Sequence, residues 1–561
     1  MLVIYNSQDA TSQAVRDYYL TKRPNVLSFD LNDTTLGPGT ISYPDFVQKI
    51  RDPIRSHLNN NNLEQSIQVL VLTKNLPHRI QSIDTSNLDI GDTPTAIVNL
   101  VNAGNATYAS VDSELCLLQF NLNENENNGN YDSFADNAVT NPYFRSNNAF
   151  SSYSRNNITA NRRTFYRENP YGWWRLYSTS GPSFQHSPVD AGHIYLTARL
   201  DADTLADVQA MIDRAQTINI RQDLDAILLD SDGNTYDRYT DPLTSASIDD
   251  YSASETAFAS SWDEFQRNTN STFLIGSTGS VLHTPTSIVS GPVAYVNSFG
   301  VNHSGGGKRN YLLTFDGQLV PGAAYASYES YGARGLGGLT NKNQAQVEDW
   351  ITAGGTFAIA PVWEPLTYGI SRSEIFIDRF YNQGYTFVEA AWASILQLSW
   401  QTVVIGDPLA TATITNATPY ELWVFGARGT TPDIDNQALV SADPDLDTID
   451  NGLEYVFGLN PNQADNETGQ LPVLIYGNEP EFTFITTNPI PSDTSIIVEV
   501  SEALEEENWT TIGTRGADGN WNGTATITET LVSQGIEIEV LDTTASSVTR
   551  RFYRLSVDIS Q

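Results

Sequence analysis

The sequence predicts an α/β domain with a mostly parallel sheet flanked by helices, followed through an acidic junction by a C-terminal all-β sandwich. Three observations lead there. Between residues 2 and 73, short apolar runs alternate with amphipathic stretches in the order strand, helix, strand, helix, strand, the rhythm of a parallel sheet with helices on its faces. The same rhythm resumes at His193. From about residue 470, short runs separated by turn-rich stretches recur at the spacing of a sandwich.

Taken in order, Leu2–Tyr5 reads as a buried strand. Residues 12–22 read as a helix with Ala14, Val15, Tyr18 and Tyr19 on one face, stopped by Pro24. Residues 26–31 form the next strand, 43–58 a helical stretch interrupted by Pro53, and 67–73 an almost continuous apolar strand. Residues 121–165 are rich in Asn and Ser and read as a surface insertion. Beyond it come strands at 193–199, 225–229, 292–296, 323–328 and 356–359. Helices are expected at 204–215, 344–352 and 387–398. Residues 412–440 suggest a short strand pair and linker, so the division expected is an α/β domain over 1–412, a junction over 413–465 and a sandwich over 466–561. The sandwich strands fall at 482–486, 495–500, 535–541 and 551–557.

Composition narrows the function classes. The 561 residues carry 66 acidic against 30 basic side chains, a formal charge of -36. A surface this negative repels phosphate backbones, so nucleic acid is not an expected partner. The single cysteine, Cys116, excludes an intrachain disulfide and a Cys-based zinc site. No apolar run is long enough to span a bilayer. The chain opens without the basic start and apolar stretch of a signal peptide, so either export is absent or a leader precedes this numbering. The architecture favours the second.

The clearest chemical motif is Asp-Pro-Asp-Leu-Asp-Thr-Ile-Asp-Asn-Gly-Leu-Glu at 443–454. With Asp443 as position one, Asp445, Asp447, Asn451 and Glu454 fall at positions three, five, nine and twelve, and Ile449 at seven offers its carbonyl. These are the offsets at which a calcium loop presents oxygens to a hard cation, so Ca2+ is the expected cofactor. Thr448 departs from the pattern, because the sixth position favours glycine. The competing reading is an acidic linker whose aspartates cap the following helix.

Several blocks carry a resemblance: 110–115 (SVDSEL), 141–144 (NPYF), 198–201 (ARLD), 321–323 (PGA), 363–365 (WEP), 384–390 (GYTFVEA) and 398–409 (LSWQTVVIGDPL). They resemble uncharacterised exported proteins of planctomycete- and verrucomicrobia-type bacteria over most of residues 1–412. Residues 451–460 (NGLEYVFGLN) and 551–555 (RFYRL) resemble C-terminal modules in which a calcium-type loop precedes a β-sandwich. The α/β part is distantly similar to the caspase and gingipain scaffold. The resemblance implies export and a fold, but no activity.

A gingipain-like peptidase needs a histidine followed by a cysteine at neighbouring strand ends. His283 and His303 are candidate strand-end histidines, but Cys116 precedes both and lies in an apolar Leu-Cys-Leu-Leu stretch, so a cysteine protease is disfavoured. No Gly-x-Ser-x-Gly elbow is present, and the glycines at 305–307 and 332–338 do not make a phosphate loop. Acidic residues fall just after expected strands: Asp112 and Glu114, Asp230 and Asp232, Glu329, and Glu364. Were their strands neighbours, they would form one acidic crevice for a cation or for acid/base chemistry. The aromatic run 171–177 (YGWWRLY) is a candidate surface for sugar rings or a partner, or an anchor for the insertion. The expectation is an extracellular or cell-surface binding or structural protein on an enzyme-like scaffold, with self-assembly or a cell-surface glycan as candidate partners. The alternative is a secreted hydrolase working through the strand-end carboxylates.

Overall fold

A computed structural model describes residues 1–81, 108–119, 139–141, 143–152, 164–167, 174–177, 194–230, 238–240, 247–249, 273–275, 292–298, 310–338, 344–363, 365, 370–395, 397–398, 400–465, 469–475, 480–504, 508–545 and 550–560. The chain divides into two compact units, Met1–Thr415 and Asn416–Gln561.

The first unit is built on a ten-stranded sheet. From one edge its strands are Phe273–Ile275, Ala226–Asp230, Val293–Ser298, Leu319–Ser327, Phe357–Pro361, Thr402–Ile405, Leu196–Leu200, Val69–Thr73, Leu2–Tyr5 and Leu27–Asp30. Every pairing is parallel except the central one. There 357–361 meets 402–405 antiparallel, with Pro361 opposite Thr402 and Ala358 opposite Ile405. The sheet therefore consists of two parallel halves that point in opposite directions. Strands 69–73 and 196–200 are buried along their whole length, which is why they read as apolar runs rather than alternating ones.

Helices cover the sheet where capping and apolar spacing agree. Asp9 accepts the Ser12 N–H at the start of helix Ala10–Lys22, and Thr204 and Asp207 form a reciprocal capping box before Leu205–Arg214. Pro53 does not interrupt its helix. Tyr43–Phe46 continues through a π-helical turn, Val47–Arg51, into Asp52–Asn60, and Pro53 sits at the start of that last segment. The 387–398 helix is shorter than expected. Thr386 and Glu389 cap the start of Phe387–Ser394, and the Asn141 side-chain amide then takes the Trp392 and Ile395 carbonyls. Residues Gln397–Leu398 turn into a strand against Val139–Thr140.

The second unit holds two four-stranded antiparallel sheets. One is made of Val473–Ile475, Glu481–Thr486, Gly535–Leu541 and Thr526–Val532, the other of Trp521–Gly523, Thr510–Arg515, Thr494–Ser501 and Phe552–Ile559. Phe482, Phe484, Ile538 and Val540 from the first share a core with Ile496, Val498, Val500 and Ile512 from the second. Val456 and Phe457 of helix Asn451–Phe457 complete that core. The strand pair expected near 412–440 is instead one short strand, Thr413–Thr415, paired with Asn219–Arg221, followed by helix Pro419–Arg428. That helix has a Thr418/Glu421 capping box, a proline in its first turn and Gly429 in the left-handed conformation at its end. No helix among the described residues is long and apolar enough to cross a membrane.

Candidate functional site

The 443–454 loop folds around its own carboxylates. Asp443 Oδ1 and Asp445 Oδ1 accept the Asp447 N–H at 3.2 and 3.3 Å, and Asp443 Oδ2 accepts the Thr448 N–H at 3.0 Å. Asp447 Oδ1 accepts the Ile449 N–H at 2.8 Å. Asp443, Asp445 and Asp447 each present an oxygen within 4.8 Å of the other two. Thr448 adopts the left-handed conformation, φ +78°, that glycine supplies in such loops. Leu446 does so as well, with φ +65°.

Acidic residues in a loop are common, so the deciding group is Glu454. It is on helix 451–457, 0% exposed, and neither carboxylate oxygen has a hydrogen-bond partner among the described residues. Burial, and then the charges of Asp445, Asp447, Asp465 and Asp443, push its pKa up to about 8. A buried carboxylate without a donor is costly. Among the described residues, no lysine or arginine reaches the Glu454 carboxylate. The donor set is all oxygen and strongly anionic, the chemistry of a site for a hard cation. Asp465 is the member that sequence reasoning missed. Its N–H donates to Asp447 Oδ2 at 3.0 Å, its Oδ2 accepts the Asn460 N–H, and its Oδ1 is buried without a partner. Asn451 is also buried. Its amide nitrogen donates to the Gln437 and Leu439 carbonyls, leaving Oδ1 without a partner. Asp450, outside the expected ligand set, caps the helix by accepting the Leu453 N–H.

No family model matches this chain, and no curated protein matches it.

Strands 226–230, 293–298, 319–327 and 357–361 are parallel neighbours, so Asp230 and Glu329 fall at one rim of the sheet. Glu329 is buried directly after its strand. Glu364, His283, His303 and Asp232 lie outside the described residues, as do Tyr171–Trp173 of the aromatic run. Trp174–Tyr177 forms a strand paired with Thr164–Arg167.

Asp112 and Glu114 sit on the short helix Val111–Leu115, two residues apart and so on different faces. Asp112 is fully buried and held by Arg199, with Nη2 to Oδ2 at 2.8 Å and Nε to Oδ1 at 3.2 Å. Arg199 also donates to the carbonyls of Leu76 and Pro77. Next to it, Lys74 pairs with Asp201 at 3.2 Å and donates to the Ala202 carbonyl. Burial raises the Asp201 pKa. Cys116 lies in the core with its sulfur near Thr197 Oγ1 at 3.5 Å. Burial pushes the thiol pKa far up, away from the thiolate that a nucleophile requires.

Proposed function

We propose that this chain is an extracellular or cell-surface binding or structural protein, an enzyme-like α/β scaffold lacking a recognisable nucleophile that carries a calcium-stiffened β-sandwich module. The observation that carries this reading is Glu454, buried without a hydrogen-bond donor among four aspartates. A cation there removes the repulsion and ties the 443–454 loop to helix 451–457, whose Val456 and Phe457 are part of the sandwich core. Millimolar calcium outside cells suits a site of this kind. The resemblance to exported bacterial proteins points the same way. The inert Cys116 and the occupied Asp112 support a role in binding over catalysis.

The test is calorimetry and light scattering on the purified chain in 5 mM calcium and in chelator, with a panel of peptide, ester and glycan substrates. Binding at 100-fold excess over Kd stabilises the sandwich unit by about 2.7 kcal/mol. That stabilisation should vanish in Glu454→Gln, and no substrate should turn over. Turnover abolished by Glu329→Gln or Glu364→Gln would replace this reading with the hydrolase alternative. An unfolding midpoint indifferent to calcium would remove the cation from it.

A further inference from the structure

One spot in this very acidic molecule brings together two cations that have no carboxylate partner among the described residues. Arg79 lies on the middle strand of a small sheet, Thr40–Ser42, Arg79–Gln81 and Tyr108–Ser110. It is 9% exposed, and its Nε is buried without a hydrogen bond. Its guanidinium lies 4.8 Å from the centre of the Trp363 ring. Arg334 packs the same way on Tyr331, at 5.3 Å. The two rings meet edge to face at 6.4 Å, which brings the two cations to one place. Behind them, His78 is fully buried, with one ring nitrogen at the Gly39 N–H and the other at the Arg334 carbonyl. Neither arginine has an ion pair with any described residue. Burial, and then Arg334, bring the Arg79 pKa down to about 10.

The position is a functional one on general grounds. Trp363 follows strand 357–361 and Tyr331 follows strand 319–327, two parallel neighbours. Ligands of open α/β sheets collect outside such carboxyl ends. Tyr331 also holds φ +62°, a conformation costly for a bulky side chain. Strain of this kind collects at sites where a side chain must be aimed.

We propose that Arg79 and Arg334, stacked on Trp363 and Tyr331, bind a carboxylate-bearing ligand. Guanidinium groups match a carboxylate in geometry and charge, and the flanking rings suit an apolar or planar ligand body. The net charge of -36 on the whole chain disfavours polyphosphates, and a compact carboxylate brings the least further charge against it. The ligand is either a free organic acid or the acidic side chain of a peptide.

The experiment is thermal unfolding of the full chain with glutarate, with the capped peptide Ac-Gly-Glu-Gly-NH2, and with neutral glutaramide. Glutarate or the peptide should raise the midpoint of the α/β unit, and whichever acts identifies the source of the carboxylate. Glutaramide should do nothing. Arg334→Gln, at a half-buried position, should raise the ligand-free midpoint by relieving like-charge repulsion. It should also weaken carboxylate binding at least ten-fold, as should Arg79→Gln. The proposal is overturned if neither acid shifts the wild-type midpoint, if Arg334→Gln lowers the ligand-free midpoint, or if it keeps wild-type affinity.

Discussion

Arg199 grips both oxygens of Asp112 from the neighbouring strand, and neither side chain is exposed to solvent. The pair joins helix 111–115 to the middle of the sheet, while the same guanidinium takes the carbonyls of Leu76 and Pro77. A carboxylate held this way anchors a fold and is a poor general base.

Removing one partner should therefore unfold more than it inactivates. Arg199→Met leaves Asp112 buried and unpaired, and urea unfolding should show a loss of about 3–5 kcal/mol. Adding Asp112→Leu should restore much of that loss, because the stranded charge is gone. If the double variant is as unstable as the sum of the two singles, the pair is not the coupled unit described above.

His78 sets an acid limit on the α/β unit. Burial, with Arg199 and Arg79 nearby, holds its pKa well below the ordinary 6.5. In the unfolded chain it titrates normally, so below about pH 6.5 the unfolded state binds the extra proton. Stability due to His78 is complete above that pH. It falls by about 1.4 kcal/mol per pH unit as pH drops toward the depressed folded value. Urea titrations at pH 7.5 and 5.5 on wild type and His78→Gln should show a smaller acid loss in the variant. Equal losses would place the acid sensitivity elsewhere.

Thr448 pays for a glycine's conformation with a branched side chain. Its φ of +78° costs about 1 kcal/mol for an L-residue. Thr448→Gly should raise the unfolding midpoint of the sandwich unit and, at the proposed calcium site, tighten binding with it. A destabilised variant would mean that the threonine side chain holds the loop in a way its geometry does not show.

Much of this architecture is legible in the chain, and the exceptions share a cause. The strands at 69–73 and 196–200 announce themselves because both faces are buried. The loop offsets single out Glu454 because the acidic positions of the loop are close in sequence. Helix 419–428 carries a full set of signals in Thr418, Pro419, Glu421 and Gly429, but they lie within a stretch of β-like composition. Asp465 lies beyond the twelve-residue loop, and only the turn that brings its N–H to Asp447 includes it. Arg79 and Arg334 belong to distant segments, and their shared position depends on the register of strands between them. The antiparallel joint between 357–361 and 402–405 was equally hidden, since apolar runs do not state direction.

That joint bears on how the protein is made. Strand 402–405 is the last of the sheet to leave the ribosome, yet it occupies the centre, between 196–200 and 357–361. Until it emerges, a nascent chain holds two half-sheets with bare inner edges, each a template for pairing with the wrong partner. Chains truncated before Thr402 should aggregate where full-length chains do not, and a holding chaperone that keeps the early half from pairing should be needed until synthesis has passed that strand.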